Sequence, residues 1–332
     1  MTAGLPEMTC DSSKRICSSL MAEPKPERVA DMKNSLTRFP TFLLILIVLA
    51  TAASSGTSLA ASTSLSASPE FAGAGLPSEF GEIVYQKHPE CPVQLYIIGN
   101  SHRSSSTGHN GINTVPSQVQ TYRIGEWLIR QHQVELLLPE GFFGRKGSAG
   151  ILDAAVWIEE PALEETLADT STFINADLLL HRNYGVGLQQ VEDREMYRNV
   201  REYLHSGLNN GGNLLASFGL ELEYLQERRS AASLQSIPAA IDNEYRQGNI
   251  AQPRAILTIG MAHLDEIIKF LELGKIEIPA PQIGASGFQA YSEALELLDK
   301  GVGVTVIVPR AILDDREMMV LAKLETEVEG SR

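Results

Sequence analysis

Residues 254–268 read RAILTIGMAHLDEII, and the change of period inside them decides the fold. Residues 254–260 are a short apolar, β-branched run ending in glycine. That run is too short for a helix and suits a strand buried on both faces. From Leu264 the spacing changes, with Leu264, Ile267, Ile268 and Leu271 at i, i+3, i+4 and i+7, the inner face of a helix. A buried strand that passes at once into an amphipathic helix is the repeating unit of an α/β sheet.

Working outward, the same kind of run recurs as VQLYIIG at 93–99, VELLLPEG at 134–141 and GVGVTVIV at 301–308. Between them, residues 117–131 carry Ile124, Trp127 and Leu128 at helical spacing, and residues 194–208 and 213–248 read as long helices with glycine at their ends. VGLQQVED at 186–193 reads as a further strand closing on Glu192 and Asp193. The predicted class is α/β, with a central, largely parallel or mixed β-sheet flanked by helices and a site at the C-terminal edge of the strands.

The composition places limits on partners. The chain has 332 residues, 43% hydrophobic and 20% charged, enough apolar material for one domain of ordinary size. Its formal charge is −14, from 27 basic and 41 acidic residues, and the basic ones are scattered, so nucleic acid is excluded as an expected partner.

The N-terminal part differs in character. FLLILIVLATAA at 42–53 is an unbroken apolar run, preceded by Lys33 and Arg38 and followed by small residues at Ser58 and Ala60. That is the layout of an export signal, and the run is short of the ~20 residues a membrane span needs. Cleavage after Ala60 is the preferred expectation, with an uncleaved membrane tether as the alternative, and Met32 offers a second start that gives a signal of conventional length. The expected layout is residues 1–60 as extension and signal, 61–79 as a Ser/Ala/Gly linker, and 80–332 as the α/β domain, exported to the periplasm or secreted. Cys91 alone would survive processing and reads as an ordinary thiol beside Pro92.

Two of the strand runs end in the same step, Gly99 to His102 and Gly260 to His263, and a third reaches Glu140 just beyond Pro139. If these strands are parallel neighbours, all three side chains leave one edge of the sheet, where ligands of open α/β sheets bind. A lone G-x-x-H is more often a loop or capping residue; two of them, with a carboxylate at a third strand end, point to a shared site. Glu192 is a further candidate ligand or base, with a solvated strand end as its ordinary explanation. Two imidazoles with one or two carboxylates suit a divalent transition metal. Familiar compact zinc signatures are absent, as is a G-x-S-x-G elbow.

The set LYIIGNSH, LLLPEG, QQVED, LQERRSA and AILTIGMAHLDEI, in this order over about residues 93–310, resembles the TraB/TIKI group (TraB, PrgY, GumN and TIKI proteins) within the clan that also holds erythromycin-esterase-like and ChaN-like proteins. The resemblance implies that His102, Glu140 and His263 are the signature polar residues, and that Arg228 matches a helical arginine. Arg229 stands where that pattern has asparagine. The TIKI branch implies a metal-dependent peptidase, with Mn, Co or Zn held by His102, Glu140, His263 and Glu192. In that reading Glu140 completes the shell or activates water, and Arg228 holds a substrate carboxylate or the oxyanion. Other branches imply two alternatives, a non-turnover module binding a peptide or haem, and a metal-independent esterase. The expected partner is a peptide or small-molecule substrate.

Overall fold

In the computed structural model the described residues are 75–101, 110–144, 160–169, 172–209, 216–281 and 287–321. The expected signal, the second start and residues 61–74 of the expected linker lie outside them, as do Arg103, His109 and His102, whereas residues 75–79 of that linker are described, with Leu76 packed against the core. Among the described residues no helix is long and apolar enough to cross a membrane.

The chain enters through β1 (Gly81–Lys87), then β2 (Val93–Asn100), helix α1 (Thr114–His132) and β3 (Leu136–Pro139). Helices α2 (Glu160–Ala168) and α3 (Ala176–Tyr184) lead to the short β4 (Gly187–Leu188), followed by α4 (Arg194–Asn209) and the long α5 (Ala216–Arg246). Then come β5 (Arg254–Gly260), a single 3-10 turn over Met261–His263, and α6 (Leu264–Leu273). A hairpin of β6 (Lys275–Ile278) and β7 (Tyr291–Ala294), α7 (Glu296–Asp299), β8 (Val302–Pro309), α8 (Arg310–Leu313) and α9 (Arg316–Leu321) complete the order.

The main sheet runs β1-β8-β2-β5-β3-β4, parallel throughout except for β1 against β8. The fold is therefore α/β with a mixed, mostly parallel sheet, as the strand-helix alternation predicts. The apolar runs are continuous because both faces are covered. Leu95 and Ile97 of β2 join the core beneath α5 and α6, while Tyr96 and Ile98 join the core beneath α1, α2 and α3.

One local expectation needs correction, and two elements were not read from the sequence. Only Gly187–Leu188 of the predicted 186–193 strand is in the sheet, and the stretch that follows carries Glu192 as a loop into α4. A strand precedes Val93: β1, GEIVYQK, lies at the open edge with exposed side chains, so it lacks the apolar signature of its neighbours. The β6–β7 hairpin forms a separate two-stranded sheet, too short and polar to be read from period alone.

The starts of the two G-x-x-H steps are adjacent at the backbone level, because β2 and β5 are parallel neighbours with Asn100 opposite Gly260. Their glycines serve different ends. A Cβ on Gly99 would lie within 2.7 Å of Met261 Sδ and closer still to Leu264 Cδ1, so glycine lets the turn after β5 seat on the end of β2. Gly260 has φ −61 and ψ 142, a backbone that any residue adopts, so no conformational need for glycine exists there.

Candidate functional site

The C-terminal edge of β3 and β5 places Glu140. Pro139 is opposite Thr258, and the Glu140 backbone N–H continues the ladder onto Thr258 O at 2.9 Å. The side chain then turns across β5, where Oε2 accepts the Gly260 N–H at 2.6 Å. Its other oxygen, Oε1, accepts from Arg229 Nη2 and lies 3.6 Å from His263 Nε2.

Next to Glu140, Gly141 has φ +72, the left-handed region in which glycine is at ease. The turn it makes aims its N–H at Glu192 Oε2, at 2.6 Å. Glu192 Oε1 lies 3.2 Å from Arg229 Nε. Burial pushes the Glu192 carboxyl above its ordinary range, with the neighbouring Arg229 charge opposing that rise and the Glu140 charge adding to it. Asp193, the other acid of QQVED, accepts the Glu195 and Met196 N–H groups at 2.8 Å each and starts α4 instead of joining the site.

His263 closes the 3-10 turn and opens α6. Its ring is buried, and Nδ1 lies 2.8 Å from Glu266 Oε1 and 3.0 Å from Ser230 Oγ. Arg229 Nη2 stands 2.9 Å from Nε2. A guanidinium can only donate, so Nε2 accepts and Nδ1 carries the proton that Glu266 receives; the tautomer follows from the partners. Ser230 also donates to Glu266.

Arg229 is thus the hub. Nε serves Glu192, Nη2 serves both Glu140 and His263, and the guanidinium carbon lies 5.5 Å from the centre of the Tyr197 ring. Nη1 donates to no protein group among the described residues.

Of the residues the sequence singles out, the structure brings together Glu140, Glu192 and His263. Arg228 does not join them. It leaves the other side of α5 and stacks over Tyr291, with its guanidinium carbon 3.6 Å from the ring centre. Arg229 occupies the place in the cluster that the resemblance gives to Arg228, because successive helical residues point about 100° apart. Arg229, Ser230 and Glu266 were not among the sequence candidates. His102 falls outside the described residues; Asn100 and Ser101 before it are tied to Gln118, Ser117 and Thr114 of α1. His132 and His181 bond to Tyr96 and Val186 O, and His88 pairs with Glu90 at the surface, all away from the cluster.

The described members of the expected donor set, Glu140, Glu192 and His263, do not, as arranged, fit a divalent ion; His102, the fourth, lies outside the described residues. An ion joining Glu140 to His263 would have to take the position of Arg229 Nη2, and the third acceptor, Glu192, is also held by the guanidinium. Among the described residues no group of three His, Cys, Asp or Glu is placed to hold a metal. The cation these acceptors surround is Arg229. Comparison with family models, with curated proteins and with solved structures returned no match, so the likeness to the TraB/TIKI group rests on the quoted motifs.

Proposed function

We propose that the chain is a hydrolase of peptide or other acyl bonds that works without a metal, at the Glu140–Arg229–His263 cluster. One observation carries this reading: Arg229 is tied on Nε and Nη2 by Glu192, Glu140 and His263, which among the described residues leaves Nη1 as a charged donor already fixed in place. Preorganised donors of this kind stabilise the oxyanion of acyl transfer without reorganising when charge develops.

Glu140 is the base. Its side chain is 14% exposed, against 3%, 7% and 8% for Glu192, His263 and Arg229, so it is the member of the cluster that water reaches most readily. A carboxylate offers about four lone-pair directions, whereas the single lone pair of His263 Nε2 faces Arg229. Glu140 takes a proton from water as the oxygen adds to the carbonyl carbon, and the carbonyl oxygen becomes an oxyanion at Nη1. Collapse breaks the bond to the leaving amine or alcohol, which receives the proton from Glu140. His263, held by Glu266, and Glu192, held by Gly141, are positioning residues that fix the guanidinium.

The TIKI-like expectation of a metal-dependent peptidase differs from this reading in the cation, and the metal-independent esterase alternative shares with it the absence of a metal. Initial rates on fluorogenic peptides and aryl esters test it, with Arg229→Lys as the variant. Lysine keeps a charge but cannot engage three acceptors and still present a free donor, so kcat should fall about 10²- to 10³-fold. Absence of turnover by the wild type, or an Arg229→Lys variant as active as wild type, contradicts the proposal.

A further inference from the structure

On the outer side of α4 and α5 a cavity of about 450 Å³ opens against the segment leading into β7. Tyr224, Leu225 and Arg228 of α5, Met196 and Val200 of α4, and Phe288 and Tyr291 line it. Its walls adjoin the cluster, since Arg228 precedes Arg229 and Met196 precedes Tyr197 on the same two helices.

The chemistry of this cavity is unusual for so acidic a chain. Arg228 is half-buried, yet among the described residues it makes no ion pair or hydrogen bond to a protein group; its contact is the Tyr291 ring. The helical neighbours three and four positions away are Tyr224, Leu225, Ala231 and Ala232, none of them acidic. The nearby Glu293 instead accepts the Tyr291 hydroxyl. Around the guanidinium the wall is aromatic and held in shape: Tyr224 meets Phe288 edge-on, with ring centres 5.1 Å apart, and its hydroxyl donates to Gln289 O at 2.7 Å. A guanidinium flat on an aromatic ring keeps its donor edge available for a carboxylate.

We infer that this cavity is a subsite for an aromatic or branched apolar residue bearing a free α-carboxylate, as at the C-terminus of a peptide. Arg228 takes the carboxylate, and Tyr224, Phe288, Leu225 and Met196 take the side chain. Charge complementarity selects this occupant over a neutral one, because an uncharged ligand would leave the half-buried guanidinium without a counter-ion. The inference rests on the acyl-hydrolase reading for the role of that occupant, which is substrate or product.

Titration of the full chain with N-acetylphenylalanine and with N-acetylphenylalanine amide, followed by calorimetry or ligand-observed nuclear magnetic resonance, tests it without measuring turnover, so the two readings can fail separately. The acid should bind at least about tenfold more tightly than the amide. Arg228→Gln, checked for folding by circular dichroism, should bind the acid only as weakly as the amide. Equal binding of acid and amide, no binding of the acid, or a preference that survives in Arg228→Gln overturns the inference.

Discussion

Replacing Arg229 with methionine should cost about 3–5 kcal/mol of folding stability, because it leaves Glu140 and Glu192 buried together without their shared cation. The loss should depend on pH in a stated direction. Burial holds the Glu192 carboxyl above its usual range even beside Arg229, and removal of the guanidinium takes away the main opposing influence. A carboxyl whose folded pKa lies above its unfolded value contributes stability below the unfolded pKa, and that contribution is lost as pH rises through the folded pKa. The deficit of Arg229→Met should therefore be largest near neutrality and narrow as pH falls toward the ordinary carboxylate pKa of about 4.3. Chemical denaturation of both proteins across this range measures it. A deficit below about 1 kcal/mol, or one that does not change with pH, would mean that the guanidinium does not neutralise these acids.

The second large effect is on rate. Glu140→Gln should lower kcat about 10²- to 10⁴-fold, because an amide cannot take a proton from water at neutral pH. The fold should survive, since glutamine retains one acceptor for either Arg229 or the Gly260 N–H and forfeits the other bond, at about 1–3 kcal/mol. Steady-state kinetics with a melting curve separates the two consequences. A folded Glu140→Gln protein within tenfold of wild-type kcat would remove Glu140 from the chemistry.

The central strands were legible because burial on both faces makes β2, β5 and β8 continuous apolar runs, and glycine and proline mark their ends. The strand ends bearing Glu140 and His263 could be placed at one edge for the same reason: parallel strands joined by helices all point the same way. Strand β1 escaped because an edge strand exposes its side chains and reads as polar. Glu192 was found for the wrong local reason, as a strand end, when a loop tied to Gly141 delivers it. Arg229 was missed although a signal for it existed. Ser230 lies in phase with the buried Leu234, Ile237 and Ile241, so it faces the core; Arg229 flanks that face, and Arg228 is further round the helix. The helical phase thus selects the second arginine of Glu227-Arg228-Arg229 for the buried side. Glu266, three residues beyond His263, was likewise readable as the first-turn acid of α6 that meets the ring.

The claim that Arg229 is the working cation of the site is tested most directly by chelation. Wild-type protein is dialysed against a strong chelator, its metal content is measured, and the hydrolysis rate on the best substrate is compared before and after, with Mn, Co or Zn then added back. A metal content far below one ion per chain with an unchanged rate is the result expected here. Loss of activity on chelation, restored by any of the three ions, would contradict it.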